Sequence, residues 1–402
     1  MDEPIIAWRP PTALSCASSR GYDGIVPSQS LPVQPMLDLR AQYATIREEV
    51  LAAVSKVFED QAFVLGSEVA ALEQEIAAYC RTPYAVACAS GTDALILAMM
   101  ALDIGPGDEV ITVPYTFFAT ASSITRVGAL PVFVDILDDT MNMDPDRLAR
   151  VIAAHPKAKA VVPVHLFGAC ADMDPILDIA ARHGLHVIED SAQSIGAAYK
   201  GRMAGSMGVI GCFSFFPTKN LGGCGDGGIM TTSGPRLAKR LASLRVHGMD
   251  VKYYHDEIGI NSRLDALQAT ILRVKLHHLD SWTRARQAVA ARYIENLQPL
   301  GAAVKLPVAA AHPASHVYHQ FVIRAADRDA LRNRIEAAGI RTDMYYPLPL
   351  HLQKCFEYLG YKPGDLPVSE AASRECIALP IYPEMKLEAV DRVCAEITSH
   401  YN

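Results

Sequence analysis

Lys219 stands in the run GCFSFFPTKNLGGCGDGG, residues 211–228, among small, aromatic and hydroxyl side chains, with no charged neighbour before Asp226. A lysine set among solvated charges serves solubility. An amine kept away from bulk water and other ions has a depressed pKa, so part of it is neutral and nucleophilic. Ser214 precedes it by five positions and glycines crowd behind it. The plainer alternative is a loop lysine between two strands. The choice depends on what else reaches the same place.

Four other groups of residues bear on that choice. Ser90-Gly91-Thr92 follows an apolar run and opens a helical one. Free backbone N–H groups at a helix start, with the dipole behind them, favour an anion, and Thr92 adds a hydroxyl donor. The same residues also suit an ordinary capped turn. In Ile188-Glu189-Asp190-Ser191-Ala192-Gln193, Asp190 ends an apolar run. Its carboxylate could cap the next helix, or pair with a ring nitrogen and keep it protonated. Gln193, three positions on, could then reach a ring oxygen. Phe117, in the run PYTFF, is an aromatic near a strand end, which can stack on a planar ligand or simply join the core. In GINSRL, residues 259–264, Asn261 and Arg263 could cap and solvate a helix start or bind anions.

The elements that position these residues follow a regular alternation. Strands are predicted over residues 84–88, 109–113, 131–134, 158–164, 186–189, 209–214 and 228–231, with helices over 92–102, 119–127, 146–153 and 173–183. This implies a largely parallel sheet covered by helices on both faces. Ligands of such sheets bind at the carboxyl ends of the strands. Two helices broken near residues 63–66 precede the sheet. A helix over 236–246 and a longer amphipathic one over 265–290 follow it. Short strands (317–323) and helices (327–338 and 387–397) then suggest a smaller α+β domain. The expected organisation is an extension over 1–35, rich in Pro and Ser and mobile, a large domain over 36–264, and a bridging helix with a small domain over 265–402.

Composition narrows the function classes. Of 402 residues, 50% are hydrophobic and 20% charged, which suits a large packed core. The net charge of −7 and the lack of a Lys/Arg-rich block argue against nucleic acid or an anionic membrane as partner. No apolar run is long enough to span a bilayer. The nine cysteines are scattered and form no CxxC pair, which argues against a zinc site or disulfide framework and for a reducing cytoplasm. The chain lacks GxxxxGK[ST] and a convincing GxGxxG, so a nucleoside triphosphate or dinucleotide site is not the obvious alternative.

An anion cradle, a ring-nitrogen carboxylate, a stacking aromatic and an isolated lysine together describe a pyridoxal phosphate site. From about Met36 onward the chain resembles the DegT–StrS nucleotide-sugar aminotransferases, which have the aspartate aminotransferase fold, type I. The motifs SGTDAL, PYTFFAT, IEDSAQS, SFFPTKN, GDGG and GINSRLDALQA fall in that family's order and approximate spacing. The resemblance implies that Lys219 bonds the cofactor covalently, Asp190 partners the pyridine nitrogen and Gln193 the ring hydroxyl. It further implies that Phe117 stacks on the ring and that Gly91, Thr92 and Ser214 hold the phosphate. Asn261 would reach the phosphate of the neighbouring subunit in a homodimer with shared active sites, and Arg263 and Tyr346 would contact substrate.

The implied activity is transfer of an amino group, from glutamate, to a UDP- or dTDP-linked keto-sugar. Asp226 departs from the family's common GEGG, and the GDGG form resembles a subgroup acting on 3-keto sugars. The alternatives are a dehydratase or lyase, or an aromatic-ring-forming synthase, on the same fold, and a non-catalytic regulatory relative. Dehydratase relatives carry histidine where Lys219 stands, which counts against that branch.

Overall fold

A computed structural model describes residues 33–308 and 316–402. Seven short apolar runs form the main sheet. They are β1 (Tyr84–Cys88), β2 (Glu109–Thr112), β3 (Leu130–Phe133), β4 (Ala158–Val162) and β5 (His186–Asp190), then, after a small hairpin of β6 (Ala198–Tyr199) and β7 (Arg202–Met203), β8 (Ile210–Ser214) and β9 (Gly228–Thr232). The order across the sheet is β1-β9-β8-β5-β4-β2-β3. The neighbours from β8 to β3 pair in parallel, and β9 runs antiparallel to both β8 and β1. The sheet is thus mostly parallel, with one reversed strand. Strands β8 and β9 are buried along nearly their whole length and β4 over its last three residues, as expected where helices cover both faces.

Helices α1 (Leu39–Asp60) and α2 (Gly66–Tyr79) precede the sheet. Helices α3 (Gly91–Ala101), α4 (Phe118–Arg126), α5 (Pro145–Ala154), α6 (Met173–Arg182) and α7 (Pro235–Leu244) belong to it. Helix α3 buries Ala94, Leu95, Leu97, Ala98, Met99 and Ala101, and so is apolar nearly all round, as a central helix must be. A second hairpin, β10 (Met249–Val251) with β11 (Tyr254–His255), leads into α8 (Ala266–Leu297).

The expected long helix over 265–290 therefore runs on to Leu297. Leu272 and Leu279 in α8 join the core cluster of α2. Val289, Tyr293 and Leu297 join that of the C-terminal elements. These are β12 (Phe321–Arg324), α9 (Arg328–Ala337), α10 (Pro367–Glu375), β13 (Cys376–Leu379) and α11 (Leu387–Tyr401), with β12 and β13 antiparallel.

Two expectations are corrected in detail. The strand expected over 317–323 is regular only from Phe321 to Arg324. The reason is that Val317 N–H donates to Gly168 O and Gln320 N–H to Phe167 O, so this backbone serves the 166–168 turn before the ladder begins. Most of the 1–35 extension lies outside the described residues. Its end does not: Gln34 N–H donates to Gly339 O and Gln34 O accepts from Arg341 N–H, so one isolated parallel bridge lies ahead of Met36. Among the described residues no helix is long and apolar enough to cross a membrane. All eight described cysteines are free thiols.

Candidate active site

The carboxyl ends of β1, β2, β5 and β8 and the start of the reversed β9 lie on one edge of the sheet, and a cavity of about 760 Å³ opens there. Lys219, Asp190, Gln193, Gly91, Thr92, Ser214, Phe117 and Tyr346 all line it. Eight of the ten singled-out residues, from five separate stretches of chain, therefore share one space.

Lys219 lies on the loop between β8 and β9, with its N–H donating to Phe216 O at 2.8 Å. Burial lowers its ammonium from 10.5 to about 8, with the Asp190 carboxylate pulling weakly the other way. A useful share of the amine is thus neutral near neutral pH. Asp190 is 5% exposed at the end of β5. Its Oδ2 accepts from Thr120 Oγ1 at 2.7 Å and its Oδ1 from Ala192 N–H at 3.2 Å. Burial raises its pKa, and these two hydrogen bonds and the charge of Lys219 oppose the rise.

The neighbouring carboxylate does something different because strand side chains alternate. Glu189 is fully buried and accepts from the N–H groups of Gly205, Met207 and Gly208 at 2.8, 2.7 and 2.6 Å. It also accepts from His165 Nε2 at 2.8 Å, since His165 Nδ1 takes the Ala171 N–H. Glu189 pins the loop before β8, while Asp190 faces the cavity.

The candidate anion cradle lies where α3 begins. Ser90 Oγ caps the helix by accepting from Asp93 N–H at 3.1 Å. A Cβ placed on Gly91 would lie 2.6 Å from Ser214 Cβ, so only glycine lets β8 approach the helix start this closely. Ser214 Oγ accepts from Phe216 N–H at 3.3 Å, which leaves its own proton to donate. Gln193 is oriented from behind. Its Oε1 accepts from Phe167 N–H at 2.7 Å, so its NH₂ group is the end that meets Tyr346 Oη, at 3.0 Å, on the cavity wall. Phe117 is 57% exposed just before α4, its ring 6.3 Å from that of Tyr346.

These features suit pyridoxal phosphate in chemistry and position. A helix start with free donors suits a phosphate, an NH₂ group suits a ring oxygen, and a buried carboxylate suits a ring nitrogen. An amine of lowered pKa suits an aldehyde, and an open aromatic face suits a planar ring.

Asn261 and Arg263 do not line the cavity. Asn261 is exposed and Arg263 half-buried on the turn before α8. In the 345–351 loop Tyr345 lines the cavity, whereas His351 is buried elsewhere, its Nε2 bonded to Glu370 at 3.2 Å. Several wall residues carried no clear sequence signal. Thr116 lines the cavity and Thr120 lies behind it in the first turn of α4; both fall in the PYTFFAT motif, where neither drew a role of its own. His319 lay in an apolar run. Asn220 donates through Nδ2 to Val317 O and accepts through Oδ1 from His319 Nδ1, at 3.0 and 3.2 Å. Burial and the charges of Lys219 and Arg286 keep His319 far below its usual pKa, so it is neutral, with Nε2 the acceptor.

Known proteins resemble the chain closely. A pleiotropic regulatory protein of Geobacillus stearothermophilus is 47% identical over 91% of this chain and 98% of its own length. A UDP-N-acetyl-3-dehydro-α-D-glucosamine 3-aminotransferase of Acidithiobacillus ferrooxidans is 46% identical over 90% and 96%. The crystal structure of NtdA from Bacillus subtilis, with its cofactor PMP bound, superposes with a TM-score of 0.85 at 33% identity, over 92% of this chain and 86% of that one. Residues 44–398 match one family over most of their length, and with the lysine, carboxylate and helix-start cradle gathered at one sheet edge the chain belongs to the DegT/DnrJ/EryC1/StrS aminotransferase family.

Proposed function

We propose that the chain is a pyridoxal-phosphate-dependent aminotransferase that carries an amino group from glutamate to a UDP- or dTDP-linked 3-keto sugar. The observation that carries the reading is the meeting of Lys219, Asp190, Gln193 and the α3 start in one cavity. The bound cofactor supplies an electron sink for charge developing at the amino donor's α-carbon. The chain's residues do the rest. Gly91, Thr92 and Ser214 would hold the phosphate, Gln193 would donate to the ring oxygen, and Phe117 would stack on the ring. Asp190, kept ionised, would partner the ring nitrogen. Lys219 would bond the cofactor through Nζ at rest and, when freed, would take and return a proton.

The cavity is larger than a cofactor alone needs, and its outer wall of Phe118, Met344, Tyr345, Pro347 and Leu348 leaves room for a second molecule. Binding a nucleotide diphosphate away from the reacting carbon would help position the ketone. Arg263 suits that diphosphate because its planar fork donates bidentately. It lies outside the protomer's own cavity, so in this reading it serves, with Asn261, the site of a second copy. The 3-keto preference draws on the Acidithiobacillus relative and on Asp226, which lines the cavity within GDGG.

A single-turnover panel tests the reading. The pyridoxamine form is mixed with UDP- and dTDP-linked 3-keto and 4-keto sugars, the free sugars and simple 2-oxo acids, and cofactor absorbance is followed. Rapid discharge by nucleotide-linked 3-keto sugars is expected. Discharge by 2-oxo acids alone makes the chain an amino-acid aminotransferase. Failure of borohydride to fix the cofactor on Lys219 removes the cofactor reading itself. It would favour the regulatory role suggested by the name of the Geobacillus relative.

A further inference from the structure

Asp190 is aimed by a chain of hydroxyls. Thr120 Oγ1 lies 2.7 Å from Asp190 Oδ2 and 3.1 Å from Thr116 Oγ1, and both threonines are buried. An ionised carboxylate only accepts, so the Thr120 proton points at Asp190. With that proton committed, Thr120 must accept from Thr116, and the Thr116 proton points inward too. The two O–H dipoles therefore line up toward one carboxylate oxygen, and the Ala192 N–H serves the other. Such aligned donors strengthen one another and favour the charged form of the group at their end.

The local structure explains how both threonines come to lie there. Thr120 is in the first turn of α4, its N–H donating to the carbonyl of Phe117 at 3.2 Å. One helix start thus delivers the ring that faces the cavity and the hydroxyl behind Asp190. The titratable groups around Asp190 are Lys219, His165, Tyr346 and Cys212, each on a different stretch of chain. Burial pushes the carboxylate toward its neutral form, and the Thr120 bond is the strongest of the influences holding it charged.

We propose that Thr120, backed by Thr116, is a positioning residue that keeps Asp190 ionised and aimed, and so sets how completely the ring nitrogen of bound pyridoxal phosphate is protonated. This rests on the reading of the cavity as the cofactor site. Thr120→Val keeps the side chain's shape and removes the donor. Thr120→Ser keeps the donor and removes the methyl.

The test reconstitutes wild-type, Thr120→Val, Thr120→Ser and Thr116→Val enzymes with pyridoxal phosphate labelled with ¹⁵N at the ring. The ¹⁵N shift and steady-state kinetics are then read at one pH. In Thr120→Val the ¹⁵N signal should move toward the unprotonated ring, with kcat down about tenfold or more and KM for the amino donor little changed. Thr120→Ser should restore both, and Thr116→Val should move both in the same direction by less. Wild-type ¹⁵N shift and kcat in Thr120→Val overturn the proposal, and so does a serine variant that behaves like valine. If Thr120→Val does not fold, an unmoved ¹⁵N signal in Thr116→Val overturns it instead. A wild-type protein that takes up no pyridoxal phosphate defeats the cofactor reading and this proposal together. A protonated ring nitrogen in wild type that no threonine variant disturbs defeats this proposal alone.

Discussion

Lys219 shows how one residue's chemistry trades against stability. Its ammonium drops from 10.5 to about 8 because burial disfavours the charge. The folded protein thus holds this proton less tightly than the unfolded chain. The cost is full below about pH 8 and fades as pH rises from there toward 10.5. Cofactor-free Lys219→Met should therefore be more stable than cofactor-free wild type at pH 7, by about 1–3 kcal/mol, with the gap closing toward pH 10.5. Denaturant melts at pH 7 and pH 10 check this, and equal stability at pH 7 would mean that the amine is well solvated. That Lys219 would be special was legible from its uncharged neighbourhood. The orientation of Gln193 was not, because it depends on Phe167 N–H, which is brought beside it by a turn after a different strand.

At the scale of elements, the junction of β1 with α3 does the most. Ser90 stops the strand and caps the helix, and the free N–H groups of the first turn open on the cavity. Gly91 is required by contact with β8 rather than by its own backbone. Gly91→Ala should push α3 away from Ser214 and weaken pyridoxal phosphate binding by about tenfold or more, since the phosphate loses convergent donors. A fluorescence titration of the cofactor-free protein reads this, with circular dichroism to show that the fold persists. Unchanged affinity would mean that the phosphate is held elsewhere. The strand-to-helix turn could be read from SGT alone. Ser214 was expected there only from the family resemblance, and its close approach to Gly91 came from the fold.

For the whole molecule, the position of Asn261 and Arg263 outside the cavity is the informative fact. The hairpin beside them presents Val251, Tyr253 and Tyr254 to solvent, and Ile258 is 90% exposed. Our reading is that this region meets a second copy, so that each site draws Asn261 from its partner. Lys219→Ala and Asn261→Ala proteins, each inactive or nearly so, should then complement when unfolded together and refolded. Random pairing makes half of the dimers mixed, each with one intact site, so about a quarter of wild-type activity should return. No recovery, or a fully active monomer by sedimentation at assay concentration, would refute the shared site.

The sequence alone determined the layered α/β plan, because strand and helix periods are local properties that apolar spacing records. It also singled out candidate residues for chemistry, since a lone lysine, a strand-end carboxylate and a capped helix start each have a recognisable neighbourhood, and eight of these candidates line one cavity. The tertiary structure decided how those groups work. Strand order placed five stretches of chain at one sheet edge, and burial set the charges of Lys219 and Asp190. The hydrogen bonds that orient Asp190 and Gln193 come from Thr120 and Phe167, neither of which drew a role of its own in the sequence. Those partners lie 70 and 26 residues away along the chain. Only packing brings them into contact, which is why no local pattern could have shown them.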